Sequence, residues 1–253
     1  MNLPDYLALA LFSVCWLAFA WVTGQKKVLP RVSLTQAMGE WRRHWIMNSL
    51  YRDLKMIDTQ IMAGLQNGTA FFASTSIFAI GGCFALLGAT QEVDAVFRDL
   101  PLLSHGGRSA FELKVCGLTA IFGYSFFKFG WSYRLFNYCT ILFGSMPMAE
   151  RARQAPEAAR AAAERVIRVN ILAAANFNAG LRAIFLSIGY LGWFAGPYVF
   201  MLTTLFVFFV LLRRQFFSDA RRVVLADVIE RSDSPSESGV FKPDPIGHHE
   251  DSL

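Results

Sequence analysis

Three cations, Lys128, Arg134 and Arg182, lie inside long uncharged stretches of this 253-residue sequence. A charge within a membrane-type hydrophobic stretch is costly, and it indicates a function or a partner. These side chains could reach a membrane interface as structural cations, hold a lipid phosphate or another anionic group, or pair with Asp53, Asp58 or a second subunit. The sequence alone leaves these three interpretations open.

Polar neighbours of these cations complete a candidate polar cluster. Buried amides commonly join helices through hydrogen bonds, and beside an arginine they could also help to hold an anionic group. At a rise of 1.5 Å per residue, the three cations fall in the half of the membrane nearer the basic segments of the chain. The cluster consists of Asp58, Lys128, Arg134, Asn137, Asn176, Asn178 and Arg182.

The remaining residues form no recognisable catalytic, cofactor-binding or metal-binding pattern. The four cysteines occupy separate hydrophobic stretches without a C-x-x-C spacing, and the histidines lack the spacing of metal ligands. Sequence motifs for a nucleophile elbow, a P-loop or a dinucleotide site are missing. The predicted spans also lack an Asp or Glu for a proton relay. We therefore expect no enzyme activity, no cofactor and no metal site.

The composition assigns these residues to a membrane protein. Hydrophobic residues make up 54% of the chain and charged residues only 17%, with a mean hydropathy of +0.37. Soluble proteins contain about 25% charged residues. This balance excludes a typical soluble enzyme, a disulfide-rich miniprotein and a chain that is mostly disordered.

Uncharged runs predict an all-α, polytopic helical membrane protein. A helix needs about 20 apolar residues to cross a bilayer, and the uncharged run 183–212 is too long for one span. Because Gly196-Pro197 is a strong turn signal, we divide this region into two helices. Four spans remain the alternative if 172–212 does not cross twice. The five predicted spans are about 6–23, 69–90, 113–134, 172–195 and 198–217.

The distribution of Lys and Arg predicts the orientation of these spans. Eighteen basic residues fall in segments 24–68 and 147–170 and in the tail after the last span, against three on the other side. Lys and Arg collect on the cytoplasmic side of membrane proteins. We therefore expect an external N-terminus and a cytoplasmic C-terminus.

The segments between the spans predict cytoplasmic helices and a disordered tail. Residues 34–66 have the apolar periodicity of a basic amphipathic helix, and 150–170 is rich in helix-forming Ala and Arg. The first would lie on anionic inner-leaflet lipid or pack against the second. Residues 229–253 are acidic and rich in Pro and Ser, which predicts disorder, whereas 1–228 forms the membrane domain. We expect no nucleic-acid partner.

Four sequence blocks resemble a family of bacterial and plant membrane proteins catalogued as domain of unknown function 599. The resemblance covers about residues 5–220 and implies a multi-spanning protein, usually described with about four helices and with no assigned activity or catalytic residues. We expect the protein to lie in a bacterial inner membrane. The blocks are IDTQIMAGLQNGTAFFAST (57–75), WSYRLFNY (131–138), NFNAGLR (176–182) with GWF (192–194), and RRQFFS (213–218).

Two functions from different classes follow from these observations. The first is a non-enzymatic accessory or scaffold subunit of a membrane complex, with a membrane-protein partner or a second copy of the chain. The alternative is a transporter or binding protein for a small anionic molecule or lipid at the inner leaflet. A cavity that reaches the cations would favour the alternative, whereas cations on a flat, closely packed face would favour the accessory role.

Overall fold

The computed structural model of this protein describes residues 2–24, 33–89 and 107–225. Helices make up almost all of these ranges, which contain no strand. The predicted acidic tail at 229–253 lies outside the described residues. The helices are α1 (Leu3–Gly24), α2 (Leu34–Ser49), α3 (Met56–Gly88), α4 (Gly107–Gly144), α5 (Ala149–Gln154), α6 (Pro156–Ala195) and α7 (Pro197–Phe216), followed by a helical segment at 219–225.

Five helices are long and apolar enough to cross a membrane, namely α1, α3, α4, α6 and α7 with its extension to Leu225. This confirms the all-α membrane class and five candidate spans rather than four. The turn predicted at Gly196-Pro197 separates the last two helices. Gly196 has a φ of 145°, a conformation that favours glycine. Pro197 is the first residue of α7, where a backbone N–H is not needed.

The prediction of one continuous helix over 34–66 is wrong. A capping box of Ser33 with Gln36 starts α2, which ends at Ser49, and α3 begins only at Met56. The chain folds back between the two helices, so that the buried Asp58 carboxylate receives hydrogen bonds from Trp45 and Arg52. Apolar periodicity continues across this break, although the helix does not.

The segment predicted as a helix over 150–170 is also divided. The short α5 ends before Ala155, and α6 begins at Pro156, because proline is accepted in the first turn of a helix but not in its interior. From there α6 continues without a break for 40 residues. At 1.5 Å per residue it is about 60 Å long, and the fourth span extends well beyond the hydrocarbon, as predicted.

The long helix α6 forms the centre of the bundle. It packs against α4 on one side and α7 on another, while α3 packs on α4 and α1 packs on α7. As a result, α1 and α3 make no extensive contact with each other. We call the end that carries α2 and α5 the basic end, and the opposite end, where α1 and α4 begin and α6 ends, the far end.

Close packing of α4 against α6 depends on two glycines. A Cβ at Gly180 would lie 2.7 Å from the Phe129 ring, and one at Gly117 would lie 2.0 Å from the Tyr190 hydroxyl. A Cβ at Gly123 of α4 or at the α3 glycines 81, 82 and 88 meets nothing within 4 Å inside the chain.

Candidate anion-binding cavity

A cavity of about 410 Å³ opens near the basic end of the bundle. Its walls come from α1, α2, α3, α6 and α7, with one residue of α4, and its size falls within the range of about 300–1,000 Å³ typical of ligand sites. On α6 the lining extends from Ile171 to Phe185, about 21 Å at 1.5 Å per residue. On α2 it consists of Leu34, Thr35, Met38, Gly39 and Arg42.

Arg182 on α6 lines this cavity and reaches across to α1. Its Nη1 donates a 2.6 Å hydrogen bond to Thr23 Oγ1, and its guanidinium lies 5.7 Å from the centre of the Phe19 ring. A side chain on a helix points toward the helix N-terminus, which for α6 is the basic end. Both contacts are with neutral groups, so neither compensates the charge of Arg182.

Arg42 on α2 enters the cavity wall from the basic end. Its Nη1 donates a 2.6 Å hydrogen bond to Asn170 Oδ1, and burial lowers the pKa of Arg42. The Asn170 side chain is fully buried, and its Nδ2 donates to Cys139 Sγ at 3.5 Å. Because the amide is held at both ends, Asn170 positions the Arg42 guanidinium.

The third arginine of the cavity, Arg214, belongs to the last turn of α7. Its guanidinium lies 5.7 Å from the centre of the Phe185 ring. The next residue, Gln215, donates a 2.8 Å hydrogen bond to Thr35 Oγ1 and so joins α7 to α2. This contact holds the end of α7 and the start of α2 together at the mouth of the cavity.

Three arginines make the described lining of the cavity strongly electropositive. Among the described residues that line it, there is no Asp or Glu. Each guanidinium instead contacts an amide, a hydroxyl or an aromatic ring. A charge removed from water is stable only when it is paired and hydrogen-bonded. The arrangement therefore favours an anion held between these arginines.

Two members of the predicted polar cluster, Asn178 and Arg182, line the cavity together. Lys128 and Asn176 lie outside it and contact each other, with Lys128 Nζ donating to Asn176 Oδ1 at 3.2 Å. The Lys128 ammonium also lies 5.6 Å from the centre of the Tyr124 ring. These contacts account for Lys128 without a ligand.

Arg134 and Asn137 lie outside the cavity as well. Arg134 Nε donates a 2.6 Å hydrogen bond to Tyr138 Oη one turn further along α4, and both side chains are exposed. Asn137 Oδ1 accepts a 2.8 Å hydrogen bond from Gln66 Nε2 and thereby joins α4 to α3. Both residues have local partners, and neither faces the arginines of the cavity.

Asp58, the only acid of the predicted cluster, joins the turn between α2 and α3. Its Oδ1 accepts hydrogen bonds from Trp45 Nε1 at 2.7 Å and from Arg52 Nη1 at 2.5 Å. Its Oδ2 is buried and has no hydrogen-bond partner among the described residues. Asp58 therefore holds the folded-back chain in place, away from the cavity.

Sequence reasoning missed Arg42 and Asn170 as site residues, and Arg214 entered it only as part of the block RRQFFS (213–218). Arg42 and Arg214 flank hydrophobic segments, where basic residues normally face water. One signal was present in α2. Thr35, Met38, Gly39 and Arg42 follow the i, i+3, i+4, i+7 spacing of one helical face, which is the face that lines the cavity.

The fold and the cavity define a polytopic helical membrane protein with an arginine-lined cavity at one end of its bundle. The chain belongs to the family described as "Protein of unknown function, DUF599", whose model matches residues 7–220. The match confirms the resemblance of the four sequence blocks. No curated protein and no solved structure matches the chain.

Proposed function

We propose that this protein binds an anionic molecule in the arginine-lined cavity. The observation that carries the proposal is that Arg42, Arg182 and Arg214 all line one cavity, whose described lining residues include no carboxylate. Arginine presents a planar fork of donors that suits phosphate and carboxylate oxygens. An anion bound there would supply the opposite charge that none of the three guanidinium groups finds among the described residues.

We place the basic end in the cytoplasm and the N-terminus outside, in a bacterial inner membrane. The support is the excess of Lys and Arg at this end, which is typical of cytoplasmic segments. In this orientation the cavity lies at the level of the inner leaflet. Thr23, the partner of Arg182, is 18 residues along α1 from Asp5 at the far end, about 27 Å at 1.5 Å per residue. The hydrocarbon core is about 30 Å thick.

The proposed role is binding or transport without chemistry. The polar lining residues besides the arginines are threonines, Asn178 and Gln215, and none of these is a customary general acid or base. Arginine itself does not lose its proton in proteins. The described lining residues can therefore hold a charged group and release it, and none of their side chains is suited to react with that group.

The accessory or scaffold role stays a prediction. A flat, closely packed face of cations would favour it. Here Arg182 lines a cavity instead, while Lys128 and Arg134 have local partners. This arrangement favours anion binding over the accessory role. A stoichiometric protein partner in native mass spectrometry of the gently extracted protein would reverse this preference.

The test measures binding of dihexanoylphosphatidic acid, a water-soluble anionic probe, to the protein in phosphatidylcholine nanodiscs. We expect saturable binding that Arg42→Gln and Arg182→Gln each weaken at least tenfold, since a hydrogen bond to a charged group contributes about 1.5–3 kcal/mol. Arg134→Gln is the matched control because Arg134 lies outside the cavity. Binding that resists both cavity substitutions, or that falls equally with Arg134→Gln, would contradict the proposal.

A further inference from the structure

We infer that the anion is the phosphate headgroup of a membrane lipid, which reaches the cavity sideways from the bilayer between α1 and α3. This inference rests on the proposed function and names the chemical class of its ligand. It depends on the walls of the cavity, on its combination of cationic and apolar side chains, and on the helix that covers its aqueous side.

The proposed entrance is the side wall between α1 and α3. Both helices line the cavity, α1 through Phe19 and Thr23 and α3 through residues between Gly64 and Thr69. They make no extensive contact with each other, because α1 packs on α7 and α3 packs on α4. Toward the far end, α4 contacts α1 through the rings of Trp16 and Tyr124, whose centres are 5.6 Å apart, and the gap between α1 and α3 ends there. A lipid chain can therefore leave the cavity through this gap and continue into the bilayer.

The lining combines guanidinium groups with apolar side chains, as a ligand with a charged headgroup and a hydrocarbon chain requires. Toward the basic end, Arg42, Thr35 and Gln215 line the cavity together with Leu34 and Met38. Away from that end, apolar side chains surround the guanidinium groups of Arg182, which lies over Phe19, and Arg214, which lies over Phe185. The apolar residues there are Phe19 on α1, Leu181 and Phe185 on α6, and Leu211 on α7.

The helix α2 covers the aqueous side of the cavity. Thr35 is tied to Gln215 on α7, Arg42 is tied to Asn170 on α6, and the Trp41 indole donates a 3.0 Å hydrogen bond to the carbonyl of Val224. Three contacts along α2 thus hold it across the basic end. A water-soluble anion has to pass this helix, whereas a lipid of the inner leaflet does not.

Phosphate is the headgroup chemistry that fits three arginines best. A phosphate monoester carries a charge of about −1.5 to −2 and has three strong acceptor oxygens, whereas a carboxylate carries one charge and two oxygens. The length of the lining on α6, about 21 Å, also exceeds half of the roughly 30 Å hydrocarbon core. The cavity can therefore accept the headgroup together with the first part of a chain.

Two glycines of α3 provide a way to block the chain and leave the arginines unchanged. A Cβ built on Gly64 or Gly68, both of which line the cavity, meets nothing within 4 Å. A leucine at either position would project into the open space, and it would also favour the helix more than glycine does. Gly81 lies on the same helix, is equally unobstructed and does not line the cavity, so Gly81→Leu is the matched control.

The experiment compares dioleoylphosphatidic acid in phosphatidylcholine nanodiscs with glycerol 3-phosphate, which has the same phosphate but no chains. Native mass spectrometry counts the lipid molecules that the protein retains. The affinity for glycerol 3-phosphate is measured by its competition with the bound lipid. We expect lipid to bind at least tenfold more tightly than glycerol 3-phosphate. Gly64→Leu and Gly68→Leu should reduce lipid binding at least tenfold, and Gly81→Leu should leave it unchanged.

The outcomes separate this inference from the function on which it rests. Equal binding of glycerol 3-phosphate and lipid, or lipid binding that is unaffected by both leucine substitutions, would overturn access from the bilayer and leave anion binding intact. If neither compound binds, the proposed function fails together with this inference. Loss of binding in Gly81→Leu as well would assign the effect to folding and would also overturn the inference.

Discussion

The ammonium group of Lys114 donates a 2.8 Å hydrogen bond to the backbone carbonyl of Trp193 in the last turn of α6. The same ammonium lies 5.6 Å from the centre of the Trp193 ring. In turn, Trp193 Nε1 donates a 2.8 Å hydrogen bond to Asp5 Oδ1 at the start of α1. Lys114 is only 7% exposed. This buried lysine and Trp193 together join α1, α4 and α6 at the far end.

Replacing Lys114 with Met should destabilise the far end of the bundle. The substitution keeps the apolar stem but leaves the Trp193 carbonyl without its donor and removes the cation near Asp5. We expect a loss of about 1–3 kcal/mol, measured as a lower unfolding free energy in detergent. Arg108→Met is the control, because Arg108 forms an exposed pair with Glu112 that is worth under about 1 kcal/mol. Equal losses in the two variants would contradict this role of Lys114.

Asn170→Asp should strongly weaken anion binding without unfolding the protein. The new carboxylate would stand where Asn170 Oδ1 now accepts from Arg42, and it would neutralise the guanidinium in place of the ligand. We expect at least a tenfold loss of dihexanoylphosphatidic acid binding, since opposing charges at this distance interact by more than about 1.4 kcal/mol at a partly buried site.

The matched control for this substitution is Asn176→Asp. It would place a carboxylate beside Lys128, also on α6 but outside the cavity, and should leave binding unchanged. Similar losses in the two variants would show that added negative charge anywhere on this helix weakens binding. That result would remove Arg42 from the binding site.

Replacing Arg52 and replacing Asp58, the two residues of one ion pair, should lower the unfolding free energy by different amounts. Asp58 is fully buried, whereas the Arg52 side chain is 42% exposed. Arg52→Met leaves a buried carboxylate without its cation, at a cost of about 3 kcal/mol. Asp58→Asn leaves an arginine that water can reach and should cost about 1 kcal/mol.

A double-mutant cycle of unfolding free energies tests this asymmetry. Arg52→Met combined with Asp58→Asn should be more stable than Arg52→Met alone, because the second change removes the unpaired charge. Simple additivity of the two losses would show that the residues do not interact. An ion pair of two solvated groups would instead give small and equal losses.

Gly180→Ala should loosen the contact between α4 and α6. The added methyl group would lie 2.7 Å from the Phe129 ring, which is fully buried and stacked on Phe72. Overpacking of this kind costs about 1–3 kcal/mol. Gly123→Ala on α4 meets open space and should stabilise its helix by up to about 1 kcal/mol. Thermal unfolding should separate the two variants, and a lower midpoint for Gly123→Ala would contradict the packing argument.

Much of the fold follows from local properties of the sequence. Uncharged runs predict the spans because the hydrocarbon accepts few charges, and Gly196-Pro197 predicts the turn because few other residues adopt its backbone conformation. The break between α2 and α3 was not predictable in this way. It depends on contacts of Asp58 with Trp45 and Arg52, and the apolar periodicity continues through it.

The candidate site was predictable only in part. Arg182 and Asn178 stand out because they are polar residues inside a predicted span. Arg42 does not, because it lies in a basic segment of the kind that normally faces water. Its position in the cavity depends on how α2 is rotated and where it crosses α6, and no local property of the chain determines that rotation.

Because α6 is long and uninterrupted, a small tilt of this helix produces a large displacement at its end. The helix is about 60 Å long and meets α7 at Gly196, and its middle part lines the cavity. A tilt of about 5° around the Gly196 end would move Pro156 by about 5 Å, roughly one helical turn. Any small displacement of the middle of α6 would therefore be magnified at its exposed basic tip, far outside the hydrocarbon.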